Sequence, residues 1–308
     1  MIFKFDKKTT LPRWRDFSGG LSLGVCLVTF IVLTIPQPAR AQQLREQLEK
    51  IYRGSISAMA AKNYPAWKQY TAKSRRVHTH NLVISQKERW PDAMFNLPIS
   101  QPEIGTLGHL ETLTKGDTTH LIYYGKVDFG IAPEHEIPNN ILLLRFVREE
   151  DGWKFDNTRF FNLAENPDIA RKAELHDLSF LEDEAFQPTG IAPPVPRAAR
   201  SPDYIGELWI AAVGYEVNVQ LGDLHQATVR NNLATDVIVG GLWSEGREIS
   251  LQITKLELEE EADRRLEIAV YAFPNGQKGK RVWYWKPKPG KVPETYRSKV
   301  WANAVTLR

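Results

Sequence analysis

Residues 139–163, NNILLLRFVREEDGWKFDNTRFFNL, constrain the fold more than any other stretch, because two β-rich runs flank Asp151-Gly152. Asp-Gly between such runs is a strong hairpin signal, since a two-residue turn whose hand matches strand twist needs positive φ at both central residues. A turn centred on Asp151 and Gly152 predicts the pairs Glu150–Trp153, Arg148–Phe155, Phe146–Asn157 and Leu144–Arg159. One face then carries Leu142, Leu144, Phe146, Trp153, Phe155 and Phe161, with Asn157 and Arg159 set among them. A guanidinium buried on such a face is costly unless paired. Two readings are open: an anion or carboxylate receptor in a pocket, or an Arg159 that is salt-bridged internally or reaches the rim. A one-residue slip of the turn would exchange the two faces.

Charge can be counted only after residues 1–41 are set aside as a secretory leader. Lys4, Lys7, Lys8, Arg13 and Arg15 form its basic start, residues 21–35 its apolar core, and Ala39-Arg40-Ala41 its small-x-small exit, with cleavage expected between Ala41 and Gln42. An apolar core of fifteen residues falls short of the roughly 20 that span a bilayer, so no transmembrane segment is expected after cleavage. The whole chain has 40 Lys+Arg and 37 Asp+Glu, of which the leader holds six basic and two acidic residues, leaving 34 and 35. A near-neutral mature chain gives no electrostatic argument for nucleic acid. Its expected destination is the periplasm or the extracellular space. Cys26 is the only cysteine and leaves with the leader, so the mature chain has neither disulfide, thiol nucleophile nor thiolate metal site.

Residues 42–62 read as an amphipathic helix, with Leu44, Leu48, Ile51, Tyr52, Ile56 and Met59 at three- and four-residue steps. Asn63 precedes a short helix that carries Pro65 in its first turn and Tyr64, Trp67 and Tyr70 on one side. Ser85 and Glu88 have the spacing of a capping box for a third helix. The period then becomes strand-like. Runs 107–113 and 119–129 flank Lys115-Gly116-Asp117, a second hairpin signal.

Three helices followed by a meander of long strands predict an α+β arrangement, a curved antiparallel sheet folded over helices. That order, with Asn63-Tyr64-Pro65-Ala66-Trp67, Leu121-Ile122-Tyr123-Tyr124-Gly125, and Arg145-Phe146 set across a turn from Gly152-Trp153-Lys154, resembles the nuclear transport factor 2-like (NTF2-like) superfamily. This is the cone-shaped fold of ketosteroid isomerase-like and SnoaL-like proteins, and the resemblance covers about residues 42–163. It implies a concave pocket and no particular function, since many functions sit on that fold.

Residues 166–203 read as a connector, helical near 169–175, then acidic, then extended through Pro188, Pro193, Pro194 and Pro196. Residues 204–308 alternate apolar and polar positions over about seven short strands, with turns at Gly222-Asp223, Ser244-Glu245-Gly246 and Asn275-Gly276. An antiparallel β-sandwich is expected. The run Gly240-Gly241-Leu242-Trp243, followed by Gly246-Arg247-Glu248-Ile249, reads as a backbone bend into a strand.

Candidate chemistry is sparse. His78-x-His80 would share one face of a strand, a geometry used for zinc, but no third ligand is signalled. Glu134-His135-Glu136 lies in a Pro-bounded loop. His109, Glu111, His120, Tyr123, Tyr124 and Asp128 fall on two strands that line the cone if the resemblance holds, where a carboxylate beside an imidazole can be tuned toward neutrality. With Asn157 and Arg159, His109 and Tyr124 form the candidate ligand pocket. In the second domain Trp283 and Trp285 share a strand face beside Lys286. They form either a stacking surface for a glycan or partner, or sandwich core with basic residues keeping the edge soluble.

No nucleophile, metal set or phosphate cradle is recognisable, so no catalytic residue and no cofactor is assigned. The expectation is an exported, non-catalytic binding protein for a small ligand, a glycan or an envelope partner. The alternatives are a small-molecule isomerase, dehydratase or hydrolase using the cone, and a structural envelope component.

Overall fold

The computed structural model describes residues 37–307, apart from 97–99, 131–132, 258–263, 275–277 and 289. The expected leader as far as residue 36 and the expected turn at Asn275-Gly276 lie outside the described residues, while Ala41 and Gln42, at the expected cleavage point, are exposed in the first turns of the first helix. Among the described residues, four α-helices and three four-stranded antiparallel sheets make a mixed α+β structure.

The helical part opens with α1 (Gln37–Ala60), α2 (Tyr64–Tyr70) and α3 (Lys73–Ser85). Leu48, Tyr52, Ser55 and Ala58 form the buried stripe of α1, as three- and four-residue spacing requires. Asn63 caps α2 by accepting the Ala66 N–H at 3.1 Å. The third helix ends at Ser85, where the capping-box spacing predicted a beginning. Ser85 is fully buried, and its hydroxyl is directed to the Asn81 carbonyl four residues back, to which it donates, and to the Gly240 N–H, which it accepts at 2.6 Å. The His78-x-His80 pair therefore sits on a helix, where two-residue spacing turns the rings to different sides. His80 packs its ring on the edge of Trp90 at 5.2 Å.

Strands β1 (Gly108–Lys115), β2 (Thr118–Lys126), β3 (Asn139–Glu149) and β4 (Gly152–Phe161) follow as a meander in sheet order β1-β2-β3-β4. The turn of the β3–β4 hairpin sits one residue earlier than predicted, which moves the pairing by two: Glu149 pairs with Gly152, Arg148 with Trp153 and Phe146 with Phe155. Only Gly152 among the turn residues has positive φ, at 112°. The mirror-image turn needs two such residues, so Glu150 and Asp151 take the centre and Gly152 absorbs the strain one position later. A bulge at Asp156 then shifts the pairing again, giving Arg145–Asn157, Leu144–Thr158 and Leu143–Arg159.

The even residues of β3, Leu142, Leu144 and Phe146, join Leu48, Tyr52, Ile104, Leu121, Tyr123 and Phe155 between α1 and the sheet. Ile141 and Leu143 face the other way, onto Phe161, Leu163, Phe180 and Phe186. The segment read as a connector thus does more than connect. Its helix α4 (Pro167–Glu174) and the turns through Phe186 cover the back of the sheet, because a strand apolar on both faces needs both faces covered. Its Pro-rich part continues over the β1–β2 turn, where Gly190 O accepts the Asp117 N–H at 3.0 Å.

The remaining strands are β5 (Ile205–Val213), β6 (Tyr215–Leu221), β7 (His225–Arg230), β8 (Leu233–Val237), β9 (Arg247–Lys255), β10 (Arg265–Phe273), β11 (Lys280–Trp285) and β12 (Thr295–Val300). They form sheets β11-β10-β5-β8 and β12-β9-β6-β7. The inner residues of both sheets share one core, from Leu208, Ile210, Ile268 and Val270 on one side to Val217, Val219, Leu251 and Ile253 on the other.

Candidate functional site

The four residues of the expected pocket do not converge. His109 pairs with Tyr123, and its ring meets that of Tyr123 at 5.5 Å on the α1 side; its Nε2 lies 2.9 Å from Thr112 Oγ1. Tyr124 packs on the opposite side, where its hydroxyl accepts from Asn139. The Asp156 bulge carries Asn157 and Arg159 to that back side as well. Arg159 is exposed there, donating to the Ala185 carbonyl at 2.8 Å and lying over the Phe161 ring. Of the two sequence readings, Arg159 thus follows the one that reaches the rim, with a backbone carbonyl as its partner and no carboxylate.

Asn157 Oδ1 accepts from Arg75, which wraps the outer edge of β4 and also donates to the Asp156 carbonyl. The bulged Asp156 is itself buried, accepting from Ser74 at 2.7 Å and pairing with Arg145 at 2.6 Å. This is an edge-closing network.

The space between α1 and the first sheet is filled by side chains: Leu48, Tyr52, Leu121, Leu142, Leu144 and Phe146 are all fully buried. Glu49 closes its rim, accepting from Arg45, Arg53 and Tyr123. Burial alone would raise the Glu49 pKa, but these donors hold it below the ordinary carboxylate value. His120 is buried with Nδ1 2.7 Å from the Phe186 carbonyl, and burial lowers its pKa.

Trp283 and Trp285 pack against the core of the two facing sheets. The Trp285 ring lies 4.9 Å from that of Tyr296, and Trp283 donates to Ser298 at 3.3 Å, so the pair closes the gap between edge strands β11 and β12. Lys286 is held by Glu267 at 2.9 Å. Tyr284, on the other face, is the exposed aromatic.

An open cleft of about 1170 Å³ lies elsewhere, over the outer face of β6, β9 and β12. Its floor is ordered by register: Gln220, Ser250 and Arg297 are partners in one row across the three strands, and Glu248 and Lys299 form the next. One wall is the end of the connector, residues 197–200, and the other runs from Gly240 through Trp243 to Gly246. Arg197 is paired with Asp223 at 2.6 Å. Arg200 lies 3.9 Å above the Trp243 ring and reaches Glu245.

Arg247 sits at the base of this cleft. It is buried, and its guanidinium donates to three main-chain carbonyls: Val239 at 3.2 Å, Gly241 at 2.6 Å and Leu221 at 3.0 Å. Burial pulls its pKa below the ordinary guanidinium value, partly offset by the charge of Asp223, which is itself paired with Arg197. The glycines around it are required: Cβ atoms at Gly222 (φ +61°) and Gly240 (φ +81°) would lie 2.4 and 3.0 Å from guanidinium nitrogens. His225 is buried nearby, accepting from Val239 N–H through Nδ1, while Nε2 has no hydrogen-bond partner among the described residues.

Helix α3 braces both walls. The Asn81 amide donates to the Arg197 carbonyl at 2.9 Å and accepts from Ala199 N–H at 2.7 Å, while Ser85 holds Gly240. Sequence reasoning missed this cleft. The available signal was the clustering of Gly240, Gly241 and Gly246 around Arg247, which reads from sequence as a bend alone. Among the described residues, no helix is long and apolar enough to cross a membrane, and no three His, Cys, Asp or Glu side chains gather to hold a metal. Protein-family models, curated proteins and solved structures contain no match to this chain.

Proposed function

We propose that the chain is an exported, non-catalytic binding protein in which a nuclear transport factor 2-like first domain braces a ligand-holding β-sandwich. The observation that carries this reading is the cleft between residues 197–200 and the β6-β9-β12 face, with walls bonded to α3. Three helices ahead of a four-stranded meander support the first-domain assignment. Export rests on the sequence of residues 1–41.

An enzymatic reading of the first domain has less support. His109 and Tyr123 stand beside Glu49, but that carboxylate is bound by two arginines and the adjoining space is packed with side chains. The binding reading is tested with Ser250→Trp, which places an indole on the cleft floor without entering the core. Thermal-shift screening of the purified chain against saccharides, acidic peptides and small metabolites should find ligands that stabilise the parent and not the variant. Equal stabilisation of both by every hit would remove the cleft from function.

A further inference from the structure

We infer that the cleft takes a saccharide bearing oxyanion groups, carboxylate or sulfate; this rests on the reading of the cleft as the binding site. The lining holds five basic side chains, Arg197, Arg200, Arg247, Arg297 and Lys299, against three acidic ones, Asp223, Glu245 and Glu248, leaving two positive charges over. The two central to the argument are Arg247 and Arg297. Arg247 is a buried cation whose hydrogen-bond partners are all main-chain carbonyls, and Arg297 is exposed with no ion pair among the described residues. A concave site with low-dielectric walls focuses the field of such charges onto whatever enters it.

The shape favours a saccharide over a peptide. A bound peptide takes affinity from a free strand edge or from apolar anchor pockets. This floor is the face of a sheet, with β12 as its edge strand, and it offers no apolar anchor pocket: its central row is short or polar, Gln220, Ser250, Arg297. Hydroxyl-rich rings can lie along that row, beside the wall formed by Trp243 with Arg200 stacked on it.

The test measures binding of four probes to the purified chain by calorimetry: oligogalacturonate, a sulfated heparin oligosaccharide, a neutral cello-oligosaccharide and poly-glutamate. Binding of either acidic saccharide, weakened about tenfold by Arg297→Ala with Lys299→Ala, falling with added salt, and abolished by Ser250→Trp, is the expected result. The acidic probe that binds more tightly identifies the oxyanion. Equal, salt-insensitive binding of the neutral oligosaccharide overturns the oxyanion inference while keeping the cleft. Poly-glutamate binding without saccharide binding overturns the saccharide class. Acidic saccharide binding that survives Ser250→Trp overturns the site itself. Both substituted floor residues are exposed and lie on the outer face, so loss of binding in that double variant is separable from loss of fold by its melting temperature.

Discussion

Arg247 shows what a residue can do when the backbone supplies its partners. Three carbonyls converge on one guanidinium, and the hydrogen-bond donors that satisfy them come from a single side chain. Gly222 is the companion that makes room. Gly222→Ala combines a left-handed φ with a Cβ 2.4 Å from Nη2 and is expected to destabilise the chain by about 2–4 kcal/mol, read as a drop in urea midpoint at unchanged slope. A residue with the same composition signal can have the opposite role. Trp283→Ala and Trp285→Ala should each cost about 2 kcal/mol, below the fully buried range because both rings are half-buried. They should leave saccharide binding unchanged; a loss of binding without loss of stability would return that face to the list of ligand surfaces.

At the scale of elements, the β3–β4 hairpin and α3 decide where everything else points. The Asp-Gly signal located the hairpin correctly, yet its register depended on one φ angle at Gly152 and on the bulge at Asp156. Asp156→Ala removes the acceptor of Ser74 and the counter-ion of Arg145 and is expected to cost about 3–5 kcal/mol. Asp156→Asn, which keeps one acceptor, should cost less, and equal effects would show that the charge alone, and not the retained acceptor, holds the edge. Helix α3 joins two units that are far apart in sequence. Asn81→Ala strips two hydrogen bonds from residues 197–199, and faster amide exchange confined to the cleft wall is the expected readout.

At the scale of the whole molecule, burial fixes the response to pH. His78, His109, His120 and His225 are all pulled below the ordinary imidazole pKa of 6.5, with burial the largest cause in each. Below that value the unfolded chain binds protons that the folded chain refuses, so stability falls as pH drops through the interval under 6.5. The melting temperature should therefore decline from pH 7 to pH 5, and His120→Asn should flatten part of that slope. An unchanged slope in the variant would place the titration elsewhere. What the sequence determined by itself was local: the period of α1, the Asn63 cap, both hairpins of the first sheet and the alternating strands of the last hundred residues. Each follows from the steric preference of a few neighbouring residues. What only the tertiary structure decided was which face each residue joined and which distant segments met. A bulge reverses a face without altering composition, and the Arg247 cleft is assembled from residues 197–200, 220–224, 240–250 and 297–299, brought together by hydrogen bonds from α3 that no sequence period encodes.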